Sequence, residues 1–118
     1  MNRRAIGDRG ELAAREYLSN LGMEILDTNY HSPYGEIDII ARDGASIVFV
    51  EVKLRSTNRF GTPAEAVNRR KQQRIIRTAL LYLQEKQSDA AVRFDVVEIL
   101  AGNIRHIPSA FDTTDMSF

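Results

Sequence analysis

The spacing of apolar and polar residues changes period several times along the chain, and each change marks an element. From Ile6 to Leu21, the residues Ile6, Ala13, Ala14, Tyr17, Leu18 and Leu21 recur at three- and four-residue intervals, the spacing of one helical face. Gly22 supplies the stop. Three runs of strand character follow, Met23 to Tyr30, Glu36 to Arg42 and Ile47 to Leu54, separated by the turn sequences Ser32-Pro33-Tyr34-Gly35 and Arg42-Asp43-Gly44. Links this short join antiparallel neighbours. After the polar loop Arg55 to Gly61, a second and longer helix is expected, with Thr62 as N-cap, Pro63 in the first helical position and Glu65 completing a capping box. It should run to about Lys86, with Val67, Ile75, Ile76, Ala79, Leu80 and Leu83 as its apolar face.

Val92 to Leu100, rich in Val and Ile, reads as a further strand. Ala101-Gly102-Asn103 turns it into a short run, Ile104 to Ile107, which Pro108 is expected to end. A helix between two strands permits a parallel crossover, so the order of elements predicts an α/β fold: one mixed β-sheet flanked by helices. No internal repeat or linker divides it. The expected organisation is one domain over residues 1–108 and a loosely held tail over 109–118.

Composition narrows the chemistry. The 118 residues include no cysteine and two histidines, which excludes a disulfide framework and a thiolate metal site. Charged residues near Met1 and the lack of a long apolar run argue against a signal peptide or membrane span, and a cytoplasmic location is expected. Net charge is zero, so a polycationic nucleic-acid coat is excluded while a local basic face is not.

Two strands carry charge where apolar residues would be expected. In Ile47-Val48-Phe49-Val50-Glu51-Val52-Lys53, alternation places Glu51 and Lys53 on one face and Val48, Val50 and Val52 on the other. Asp38 similarly interrupts the run Ile37 to Ile40 and shares a face with Glu36. Antiparallel pairing through the Asp43-Gly44 turn sets Asp38 beside Glu51. Two carboxylates forced together repel unless a cation lies between them, and hard oxygen donors suit Mg²⁺ or Mn²⁺. Lys53 beside such an ion would orient water or stabilise charge on a phosphate, which points to phosphodiester hydrolysis. Glu11 lies three and seven residues before Ala14 and Leu18, on the inward stripe of the first helix, and would complete the metal shell. Gly7 and Gly10 flank it and suggest close approach of another backbone or a ligand.

Gly35-Glu36-Ile37-Asp38 followed by Glu51-Val52-Lys53 resembles the acidic-plus-lysine core of restriction-endonuclease-like nucleases of the PD-(D/E)XK type. Together with Gly7-Asp8-Arg9-Gly10-Glu11 and Arg93-Phe94-Asp95-Val96-Val97, it resembles the bacterial YraN family, which is similar in turn to archaeal Holliday-junction resolvases. The resemblance spans Gly7 to about Ile107. It implies a metal-dependent nuclease fold with Glu11, Asp38 and Glu51 as ligands and Lys53 as the catalytic lysine. The chain has Ile37, not proline, before Asp38, a permissive position.

Plainer readings accompany each of these features. Glu51 and Lys53 alone would suit an exposed ion pair on a strand. Arg69, Arg70, Lys71, Arg74 and Arg77 form either a solvated helix face or a phosphate-contacting one, with Arg70, Lys71 and Arg74 the candidate contacts and Gln73 a polar neighbour. The loop bearing Arg55 and Arg59 either holds a nucleic-acid backbone or simply connects. His31 and His106 lack ligand spacing, and Gly7 to Gly10 is not a phosphate loop because no Gly-Lys-Ser/Thr follows. Asp95 reads as a buried structural carboxylate. The expected partner is nucleic acid, DNA first, with a two-fold homodimer suited to cutting both strands. The alternatives are a nucleic-acid-binding module without hydrolysis and a protein-interaction domain.

Overall fold

A computed structural model describes residues 3–55 and 67–113, with the side chains of residues 3–8 excluded. The elements are α1 (Arg3–Asn20), β1 (Glu24–Ser32), β2 (Gly35–Asp43), β3 (Ser46–Arg55), α2 (Arg69–Glu85), β4 (Ala91–Leu100) and β5 (Asn103–Phe111). The strands form a five-stranded sheet in the order β1-β2-β3-β4-β5. Only β3 and β4 are parallel; the other neighbours are antiparallel. This is the α/β layout expected from the sequence. No helix among the described residues is long and apolar enough to cross a membrane.

The turns explain the pairing. β1 and β2 close at Ser32 opposite Gly35, β2 and β3 at Asp43 opposite Ser46, and β4 and β5 at Leu100 opposite Asn103, so each loop has two residues. In the last loop Ala101 and Gly102 both have positive φ, 50° and 82°, as a primed turn between twisted strands requires. Beyond Asn20, Met23 donates its N–H to the Leu18 carbonyl while Gly22 holds φ at 97°, which ends α1 where the glycine predicted.

Helices cover both faces. Ala14 and Leu18 of α1 pack with Ile39, Ala41, Val48, Val50 and Val97. Ile75, Ile76, Ala79 and Tyr82 of α2 pack on the opposite face with Ile40, Ile47, Phe49 and Phe94. The buried stripe of α2 follows 75, 79 and 82, so Tyr82 is inside and Leu80, expected inside, lies at its margin, 49% exposed. Gly10 is buried beneath Leu54 of β3; a Cβ there would stand 2.7 Å from a Leu54 methyl. The close approach inferred from this glycine therefore comes from a side chain. Among the described residues it is no ligand pocket.

Two boundaries differ from expectation. Helix α2 begins at Arg69, because Asn68 is extended (φ −69°, ψ 168°) and its side chain accepts the Lys71 N–H as the N-cap. A continuous helix from Thr62 is thereby excluded; Thr62, Pro63 and Glu65 lie outside the described residues. Strand β5 continues through Pro108 to Phe111, so part of the expected tail belongs to the sheet. The register shifts between Phe94 and Val96, and Ser109 takes a positive φ of 51°, which lets an edge strand accommodate the proline. Phe111 then stacks on Phe94, centroids 5.2 Å apart.

Asp95, fully buried, fastens this edge. Its carboxylate accepts from Arg93 Nε at 2.9 Å and Nη2 at 3.0 Å and from the Ser109 N–H at 3.0 Å, and it meets His106 Nε2 at 2.7 Å. The structural role expected for Asp95 is what the fold shows. Asp95→Ala removes the partner of His106 and the acceptor of the Ser109 N–H, while the partly exposed Arg93 keeps Asp43, and should cost about 1–3 kcal/mol in denaturant unfolding. A loss below about 1 kcal/mol would show that His106 and Ser109 find other partners.

Candidate active site

The β2–β3 ladder runs from Asp43 opposite Ser46 to Ile39 opposite Val50, the register that carries Asp38 towards Glu51. It stops there. The Asp38 carboxylate itself accepts the Val52 N–H at 2.8 Å, taking the place of a ladder carbonyl. Ile37 packs under α2 whereas Ile39 and Ala41 pack under α1, so strict alternation breaks at Asp38. Asn29, which falls between the neighbouring register pairs of β1, has φ 51°. The irregularity turns a carboxylate inward at the point where two strands separate.

Glu51 stands on the α2 face of β3, 6% exposed. Its Oε1 meets Lys53 Nζ at 3.5 Å and Lys71 Nζ, from the first turn of α2, at 2.5 Å. Gly35, Glu36, Asp38, Glu51, Lys71 and Arg74 line one cleft of about 490 Å³, with Arg70 and Asn68 at its α2 side. Such a volume is within the range of small-ligand sites.

The electrostatics follow from this crowding. Burial and then the neighbouring Glu51 push the Asp38 carboxyl up to about 7, against the Val52 N–H and Lys71, which favour its charged form. Burial, and after it Lys71, hold Lys53 below the ordinary lysine value although Glu51 pulls upward. Lys71 is raised, since its contact with Glu51 outweighs burial.

Asp38 and Glu51 line the cleft together with Arg70, Lys71 and Arg74, and Lys53 stands 3.5 Å from Glu51. Glu11 does not line it; its Oε1 accepts from Asn29 Nδ2 at 3.1 Å. Among the described residues no group of three or more His, Asp or Glu side chains is placed to hold a metal ion. The Arg55 guanidinium, expected at a nucleic-acid backbone, donates from Nη1 to the buried Glu98 at 2.8 Å. Arg59 lies outside the described residues. Glu36 faces His31 Nδ1 at 3.3 Å at the cleft's edge.

Sequence reasoning missed Glu98 as the Arg55 partner and Lys71 as the partner of Glu51. Both contacts depend on the parallel pairing of β3 with β4 or on the crossover between them, and no local spacing signals either.

These features define a class before any relative is considered: an α/β domain whose central strands bring carboxylates and lysines under an arginine-bearing crossover helix. The chain belongs to a family described as uncharacterised protein family UPF0102, whose model matches residues 10–99. That span holds every described member of the cleft. A UPF0102 protein of Thermodesulfovibrio yellowstonii is 45% identical, over 94% of this chain and 99% of its own length. One from Rhodococcus opacus is 48% identical over 91% of this chain and 96% of its own, and one from Nocardia farcinica 49% identical over 84% and 79%.

The raised Asp38 value has a consequence for stability. Folded, this carboxyl keeps its proton up to about pH 7, whereas an ordinary one releases it near 3.8. Between those values the folded state binds more protons, so unfolding free energy falls as pH rises. Asp38→Asn retains an oxygen acceptor for Val52 without titrating. Its stability relative to the natural chain should improve by about 2–4 kcal/mol between about pH 4 and about pH 8 in metal-free buffer. Parallel stability curves for the two proteins would refute the assignment.

Proposed function

We propose that the protein is a metal-dependent nuclease hydrolysing DNA phosphodiester bonds, acting in the cytoplasm on branched or recombination and repair structures. The observation that carries this reading is that Asp38 and Glu51 line one cleft beneath the arginines of α2, with the Lys53 ammonium 3.5 Å from Glu51. Their order along the chain resembles restriction-endonuclease-like nucleases and archaeal Holliday-junction resolvases, which supports the same reading.

The donors suit a hard cation. Mg²⁺ sites use one or two carboxylates completed by water and substrate phosphate, and Asp38 and Glu51 supply that number. These two residues would hold Mg²⁺ or Mn²⁺, and the bound ion would supply Lewis acidity towards a phosphoryl oxygen. Burial and the neighbouring Glu51 disfavour the charged form of Asp38, and a divalent cation would favour it. Lys53 stands next to Glu51 and offers an ammonium to charge gathering on the phosphate. Arg70 and Arg74, exposed on the rim, hold flanking phosphates and so fix the scissile bond. The reading uses Asp38 and Glu51 and does not require Glu11. A two-fold dimer would present one such cleft to each strand.

One observation favours a second reading, a nucleic-acid-binding module without hydrolysis. Lys71 already brings an ammonium to Glu51 at 2.5 Å. In that case the cleft is electrostatically complete without metal.

A single series separates the two. Labelled single strand, duplex and four-way junction are incubated with Mg²⁺ or Mn²⁺ and resolved on denaturing and native gels, beside Glu51→Gln and Asp38→Asn. The nuclease reading expects metal-dependent cuts that fall about a hundredfold or more in either variant while retardation persists. It also expects Mn²⁺ to raise the melting temperature of the natural chain but not that of the Asp38→Asn, Glu51→Gln double variant. Retardation without cuts would replace it with the binding module, and neither would remove nucleic acid from the account.

A further inference from the structure

Beside the carboxylate cleft the same helix opens a second groove of about 570 Å³. The two share Gly35, Arg70 and Arg74, and the second adds Tyr34, Gln73 and Arg77. Three arginines and no carboxylate line it. Among the described residues, none of those arginines is paired with an acid. The first cleft is mixed in charge, whereas this one is purely cationic.

Its wall is a fixed aromatic shelf. Tyr34 sits in the two-residue β1–β2 loop, 44% exposed, and the Arg77 guanidinium carbon lies 5.5 Å from its ring centroid. The loop is fastened to α2. Ser32 Oγ and the buried Thr78 Oγ1 meet at 2.7 Å, Thr78 donates to the Arg74 carbonyl at 2.9 Å, and the Tyr34 N–H donates to Ser32 Oγ at 3.0 Å. Gly35, with φ 153°, lets the strand start against the helix; a Cβ there would lie 3.7 Å from that of Arg74. A half-buried serine hydroxyl tied to the buried Thr78 and holding a solvent-facing tyrosine in place is more than a solvated loop needs. Ring and guanidinium form adjoining planar groups, each a surface on which an unpaired base can stack.

We infer that this groove binds an unpaired nucleotide of a single-stranded segment adjoining the carboxylate cleft, its base stacked on Tyr34 and Arg77 and its phosphates held by Arg70 and Arg74. The inference rests on the proposed nucleic-acid substrate and names its class: DNA with a single-stranded tail or gap next to the bond at Asp38 and Glu51. A base inside a duplex has no free face for Tyr34, and a groove of this volume takes a nucleotide, not a helix.

The test is fluorescence anisotropy with chelator present, using labelled single strand, blunt duplex and duplex with a single-stranded tail. The natural chain is compared with Tyr34→Phe, Tyr34→Ala, Arg77→Ala and Arg74→Ala, with circular dichroism melting as the check on folding. The natural chain should prefer tailed over blunt DNA. Tyr34→Ala should weaken tailed and single-stranded binding about tenfold without changing blunt-duplex affinity, and Tyr34→Phe should retain it. Arg74→Ala should lower the salt slope on single strand by about 0.7. Equal affinity for blunt and tailed DNA, or tailed binding unchanged in folded Tyr34→Ala, overturns the inference. Cleavage is scored separately with Mn²⁺. Tyr34-dependent tail binding without metal-dependent cuts upholds the groove and sinks the nuclease, cuts indifferent to Tyr34 do the reverse, and no binding to any DNA overturns both.

Discussion

The parallel pairing of β3 with β4 is the constraint on which the rest depends. Two parallel neighbours cannot be joined by a hairpin, so the chain must return across one face of the sheet, and the part of that return the structure describes is α2. The helix has to bury Ile75, Ile76, Ala79 and Tyr82 against Phe49 and Phe94. That packing leaves the first turn of α2 over the end of β3, where Glu51 lies. Lys71, Arg70 and Arg74 therefore reach the cleft as a by-product of how the hydrophobic face is satisfied.

Charge inside this sheet is tolerated because it is partnered, and each partnership does different work. Asp95 with Arg93 and His106, and Glu98 with Arg55, are closed arrangements on β4 that tie strands together. Buried pairs of this sort seldom add much net stability, but removing one member is costly. The cluster of Asp38, Glu51, Lys53 and Lys71 is different, because Asp38, Glu51 and Lys71 open on a cleft. Buried acids pressed together in a concavity are the usual mark of a functional surface. The break in alternation at Asp38 coincides with a left-handed Asn29 on the neighbouring strand.

The hydrophobic pattern made most of the fold legible. All four described α1–β3 elements and β4 begin and end within a few residues of their expected limits, because period, glycine stops and two-residue turns are local properties. The failures are equally physical. Asn68 caps an α2 that begins at Arg69, and Pro108 was absorbed by a shifted edge strand stacked through Phe111 on Phe94. The first is a local cap, and the second depends on tertiary packing that overrides a local signal.

The sequence by itself determined which strands carry charge, that Glu51 and Lys53 share a face, and that Asp38 is carried towards Glu51, because a two-residue turn sets the β2–β3 register as far as Ile39 opposite Val50. Only the tertiary structure decided which cations meet those carboxylates. It placed Lys71 on Glu51, turned Arg55 away to Glu98, left Glu11 with Asn29, and set Tyr34 against Arg77. Long side chains reach whichever neighbour the packed elements present, and that neighbour is chosen by contacts between residues tens of positions apart along the chain.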